Sequence, residues 1–167
     1  MARNEKNQRV GSAYLIAFVV IILVDVVLFG VHANLFVRAW KEEDKESILE
    51  LVICTTHFLT NSIAISDLFV HLVKFNSDSS CAFEPAKSTN AFLFSLVGSY
   101  ADLAGVALAV PGTAIRNLAW AMFSESIASA AISIACYVWG RGTIDLCERA
   151  DVTKTLSESG TRKLSLE

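Results

Sequence analysis

The sequence predicts an all-α integral membrane protein: a four-helix bundle, up-down-up-down, with both termini on one side of the bilayer. Three observations carry this expectation. The 167 residues are 53% hydrophobic with a mean hydropathy of +0.48, unlike a soluble domain whose polar surface must cover its core. Four stretches are long enough to cross the hydrocarbon as helices, which takes roughly 20 apolar residues each. Every stretch also holds a carboxyl group in its interior (Asp25, Asp67, Asp102 and Glu125), and none holds a Lys or Arg to neutralise it. A carboxylate at a helix centre costs about 2.5–3.5 kcal/mol even on the insertion scale, so such groups turn towards a bundle interior, a polar cavity or a partner.

Residues 1–11 form a basic N-terminus, followed by a first span over 12–37. Arg3, Lys6 and Arg9 look like the start of a signal peptide, and Val31-His32-Ala33 like its cleavage site. The apolar run exceeds the usual length of about 7–15 residues and contains Asp25, which argues for a retained span. After a short charged connection, the second span is expected over 47–73. Residues 74–90 are polar, carry Pro85 and read as a loop. The third span covers 91–110 and stops at Pro111-Gly112, a helix-ending pair. The fourth covers 117–140, and residues 141–167 form a polar tail, expected to be mobile beyond a turn or two. No separate extramembrane domain fits this length.

Orientation follows from the basic residues near the spans. Arg3, Lys6, Arg9, Lys74, Lys87, Arg141, Arg149 and Lys154 lie on the side of the termini, against Arg38, Lys41, Lys45 and Arg116 opposite. Basic residues are retained in the cytoplasm during insertion, so both termini are expected there. Which membrane is involved is not encoded in that bias.

A polar seam should line the interior. At 100° per residue, His57, Thr60, Asn61, Ala64, Asp67 and His71 share one face of the second span. Asp25, Phe29 and His32 share a face of the first, and Ser95, Gly98, Asp102, Gly105 and Ala109 of the third. The fourth aligns Ala121, Glu125, Ala128, Ser129, Ile132 and Cys136. Gly98, Ala101, Gly105, Ala109 and Ala128 are the expected packing positions, since small residues let membrane helices approach closely.

The carboxyl groups can bond to neighbouring helices and fix their register, or form a path for protons or cations. Asp25 and Asp102 are expected at mid-depth, Glu125 nearer the outer side and Asp67 nearer the cytoplasm. Such a ladder would suit a relay and leaves no single level for a metal site, so no metal is expected. No cofactor is expected either, beyond bound lipid; a haem shared with a partner subunit stays open for His32, His57 and His71. Catalysis is not expected: there is no nucleophile elbow, H-E-x-x-H motif or phosphate-binding loop. No basic run suggests a nucleic-acid partner. Cys54, Cys81, Cys136 and Cys147 have no metal-binding spacing. Two tail residues are candidates for modification: Cys147 for acylation and Ser165, behind Arg162 and Lys163, for phosphorylation.

Four spans, short loops and an acidic third span at Asp102 resemble MARVEL-type and Casparian-strip-like tetraspan proteins over residues 12–140. The basic residue those proteins carry in the first span has no counterpart here, Arg9 standing only at its foot. The resemblance implies membrane scaffolding by lateral assembly with itself or other membrane subunits. The alternatives are an accessory subunit of a larger membrane complex, and a small proton or cation transporter.

Overall fold

The computed structural model describes the backbone of residues 2–77 and 83–164 and the side chains of residues 10–75, 83–145 and 149. Cys81, the side chain of Cys147, and Ser165 lie outside these described residues. Among them every element is a helix: α1 (Ala2–Lys41), α2 (Lys45–His57), a π-turn (Phe58–Ser62), α3 (Ile63–Ser77), α4 (Pro85–Leu108) and α5 (Ala114–Leu164). The second span runs continuously through α2, the π-turn and α3. Four segments are long and apolar enough to cross a membrane: Val10–Lys41, Lys45–Phe75, Pro85–Leu108 and Ala114–Asp145. Together they make this a multi-pass membrane protein in length and composition.

Local chemistry sets the helix ends. α1 gives way to a tight turn at Glu43, whose φ is 56°, and Asp44 caps α2 by accepting the Ser47 N–H at 3.2 Å. α4 starts at Pro85, six residues before the expected boundary, because proline's fixed φ and missing N–H suit a first helical turn. It ends at Leu108, and Gly112 takes the left-handed φ of 82° that the turn into α5 requires. α5 continues through Leu164, with no proline to interrupt it.

Inward positions repeat in steps of three and four. On α1 they are Phe18, Ile21, Asp25, Leu28 and His32; on α4, Ser88, Ala91, Ser95, Gly98, Asp102, Gly105 and Ala109. A 3.5-residue period is the signature of helices that coil around one another in a left-handed sense. Glycine permits the closest approaches. A Cβ on Gly105 would lie 2.8 Å from Cys54 Sγ, and one on Gly98 would lie 3.3 Å from both Ser126 Oγ and Thr60 Oγ1.

Two apolar clusters form the core. One gathers Leu28 and Ala39 of α1, Leu51 and Cys54 of α2, Val106 and Ala109 at the end of α4, and Ile115, Leu118 and Met122 of α5. The other gathers Phe18, Ile21, Ile65, Leu68, Leu72, Phe83, Ala91 and Cys136. The outside of the bundle is apolar as well, with Ile16, Leu23, Val27, Val70 and Val138 all largely exposed. In water such a surface would drive association; against lipid tails it is matched to its solvent.

Candidate functional site

Between the two apolar clusters lies a polar layer centred on His57. The π-turn that follows this histidine makes the layer possible. In a regular α-helix, residue 62 would point about 140° away from residue 57. The wider π-turn, with its i→i+5 spacing, instead brings His57, Asn61 and Ser62 onto one side of the span.

The other three spans each send one carboxyl group to this histidine. Nδ1 of His57 lies 3.0 Å from Oδ2 of Asp102 on α4. Nε2 lies 3.3 Å from Oδ1 of Asp25 on α1 and 3.2 Å from Oε2 of Glu125 on α5. His57 and Asp102 have no exposed surface, and Asp25 and Glu125 have 6% each. Hydroxyl and amide groups complete the layer. Ser62 Oγ donates to Asp25 Oδ2, Asn61 Nδ2 donates to Glu125 Oε2 at 2.6 Å, and Ser126 Oγ donates to Asp102 Oδ2 at 3.0 Å. Asn61 Oδ1 in turn accepts from Ser95 Oγ at 2.6 Å, which sits 2.9 Å from Ser129 Oγ. Two carboxyl oxygens, Asp102 Oδ1 and Glu125 Oε1, are buried with no partner.

The charge balance is what gives this layer chemical meaning. Three ionised carboxylates against one imidazolium would leave two uncompensated negative charges in a water-poor interior. Burying an unpaired charge is far costlier than protonating it or pairing it. The layer must therefore retain protons or take up a cation. Asp25, His57 and Glu125 each offer one ligand atom, all within 4.8 Å of one another. The expected ladder of depths is thereby corrected: Asp25, Asp102 and Glu125 converge on one histidine at one level.

The remaining seam residues have other surroundings. Asp67 is exposed and pairs with Lys87, whose Nζ lies 3.1 and 2.8 Å from its two oxygens. Its expected inward facing is corrected, since the extra residue in the π-turn sets everything downstream back by about 100°. Leu68 takes the inward position and is wholly buried. His71 Nε2 accepts the backbone N–H of Glu84 at 3.0 Å, tying α3 to the start of α4. His32 is buried, and its Nε2 donates to the Leu51 carbonyl at 2.9 Å. Thr60 is half-buried and donates to the Thr56 carbonyl at 2.8 Å within its own span.

Of the packing positions, Gly98, Gly105 and Ala109 are buried and Ala101 is half-buried. On the expected face of the fourth span Glu125, Ser129 and Cys136 are buried and Ile132 half-buried, whereas Ala121 and Ala128 are exposed and are corrected. That helix turns Ser126, Ser129 and Ser133 inward together with Ala119 and Ala130. Phe29 is likewise mostly exposed, with its ring edge against Phe58 at 5.2 Å.

Ser62 and Ser126 are not marked by the sequence pattern: no residue signature reveals the π-turn, and serines in membrane helices can also bond their own backbone. Comparison with family models, curated proteins and solved structures finds no match for this chain.

Proposed function

We propose that this protein translocates a cation, a proton or a metal ion, across its membrane, and that the His57 layer holds the cation in an occluded state. The observation that carries this reading is a single histidine on one span meeting a carboxyl group from each of the other three. Ionisable groups inside a membrane are expensive, and one of their common uses is an ion or proton path. Apolar clusters on both sides support an occluded arrangement, because each must loosen before the centre meets water. Loosening them alternately would give access from one side at a time.

The distribution of the clusters along the four spans supports an up-down-up-down order, and the basic bias supports cytoplasmic termini. The protein is non-enzymatic on this reading. Reconstitution of the purified chain in liposomes tests it. A pH gradient or a divalent-cation gradient should dissipate faster with the protein than without. His57→Gln should abolish the difference, whereas Asp67→Asn, which alters an exposed pair, should preserve it. Equal leakage in protein-free and protein-containing vesicles for both ions sinks the proposal.

Lateral assembly remains a second reading, and a groove on the outer face favours it. Val10, Ala13, Tyr14 and Ala17 of α1 face Ala131, Ile132 and Ala135 of α5 across an apolar space of about 580 Å³. Its alanines would let a further helix or an acyl chain approach closely. Native purification in mild detergent separates the occupants: self-oligomers support scaffolding, foreign subunits in fixed ratio an accessory role, and a monomer with lipid neither.

A further inference from the structure

The geometry points to a divalent transition-metal site in the bundle centre, with Asp25, Glu125 and Nε2 of His57 as ligands and Asp102 as the group that orients His57. This rests on reading the layer as a cation site and names the class of cation.

The first argument is the spacing of the donor atoms. Nε2 is 3.3 Å from Asp25 Oδ1 and 3.2 Å from Glu125 Oε2. Hydrogen bonds between ionised partners are shorter, about 2.7–2.9 Å. Ligands held at about 2.0–2.1 Å around a tetrahedral zinc-type ion stand roughly 3.3 Å from one another. Both distances from Nε2 thus match the edge of a ligand polyhedron, and the three ligand atoms lie within 4.8 Å of one another.

The second argument is the direction of the imidazole proton. Asp102 Oδ2, 3.0 Å from Nδ1, accepts the Nδ1–H and is itself held by Ser126. Nε2 then points its lone pair at two carboxyl oxygens, which is repulsive unless a proton or a cation lies between them. A carboxylate that fixes the distal nitrogen of a metal-bound histidine is the usual outer-shell arrangement, and it sets both the tautomer and the ring angle.

Charge and unused valence agree with this placement. Two coordinating carboxylates neutralise one divalent ion, which leaves only the Asp102 charge, held by His57 Nδ1 and Ser126 Oγ. Glu125 Oε1 is buried without a partner, on the same carboxyl group that supplies Oε2, so a second coordinating oxygen is at hand. An imidazole nitrogen suits zinc, copper, iron or nickel, whereas magnesium, calcium and manganese prefer all-oxygen sets. Any proton held on the three donors leaves to water as the ion enters.

Titration of the purified full-length protein with Co²⁺ and Zn²⁺ tests this inference. Co²⁺ should give a visible d–d spectrum saturating at one equivalent, displaced by Zn²⁺ and unaffected by excess Mg²⁺. Asp25→Asn and Glu125→Gln should each weaken binding by about tenfold or more, and Asp102→Asn, which acts through His57, by about 10–100-fold. Helicity and elution volume in detergent confirm that each variant is folded; Asp67→Asn should bind as the wild type does. No spectrum from wild-type protein, or a spectrum lost with His71→Ala instead of the central variants, overturns the inference. Proton flux without metal binding would discard the metal site and keep the transport reading. Metal binding without any flux would do the reverse.

Discussion

His57 shows how much one side chain can organise when the side chains bonded to it are polar and buried. Removing it strands three carboxyl groups facing one another, and breaking a buried charged network costs about 3–5 kcal/mol. His57→Ala should therefore lower the thermal midpoint in detergent sharply, or prevent recovery of folded protein. Asp67→Leu and Leu68→Asp provide the contrast one residue apart. Asp67 is exposed and paired only with Lys87, so its loss should change stability by about 1 kcal/mol or less. Leu68 is fully buried in an apolar cluster, so an aspartate there meets no partner and should cost about 2 kcal/mol or more. Equal midpoints for the two variants would show that the span does not face as described. Asp25, Asp102 and His57 were legible as interior residues because each breaks an apolar run. Their convergence was not, since helical periodicity gives the angle of a side chain but not the depth of one span against another.

At the level of helices, two glycines on α5 separate packing from propensity. A Cβ on Gly140 would sit 2.2 Å from the Phe83 ring, whereas one on Gly142 meets nothing within 4 Å. Phe83 is itself buried against His71, Phe75 and Trp139, so it has little room to yield. Gly140→Ala should destabilise by about 1–3 kcal/mol, and Gly142→Ala should stabilise by up to about 1 kcal/mol through helix propensity; parallel melts read both. The α2 cap makes a pH prediction. Bonds from the Ser47 hydroxyl and N–H hold the Asp44 carboxyl below its ordinary value of 3.8. A lowered carboxyl value means the cap contributes fully above that ordinary value and is lost as pH falls through the lower, folded-state value. Amide exchange at Ser47 should quicken on that acid limb in the wild type and show no such step in Asp44→Asn. That the chain holds four helices long and apolar enough to cross a membrane was readable, as were the heptad steps of α4. The π-turn was not, because Phe58-Leu59-Thr60-Asn61-Ser62 contains nothing that disfavours an ordinary α-helix. Asp67 was consequently placed on the wrong face.

For the molecule as a whole, two apolar clusters enclose one polar layer, and the proposed cation-handling role rests on that order rather than on any loop or tail. Sidedness is the coarsest consequence open to test. A cysteine placed at Glu42, in the exposed turn between the first two spans, should react with an impermeant reagent added outside intact cells, whereas Cys81 and Cys147 should not. The opposite pattern would invert the orientation. The claim on which the rest depends is that His57 gathers the carboxyl groups of three other spans at one depth. Solid-state NMR of the protein in bilayers, with labelled histidine and carboxyl carbons, measures this most directly. The expected spectrum has His57 nitrogens correlated with the side-chain carboxyls of Asp25, Asp102 and Glu125, and its Nε2 resonance shifts when Zn²⁺ is added. A His57 ring with no carboxyl within reach, unchanged by Zn²⁺, would contradict it.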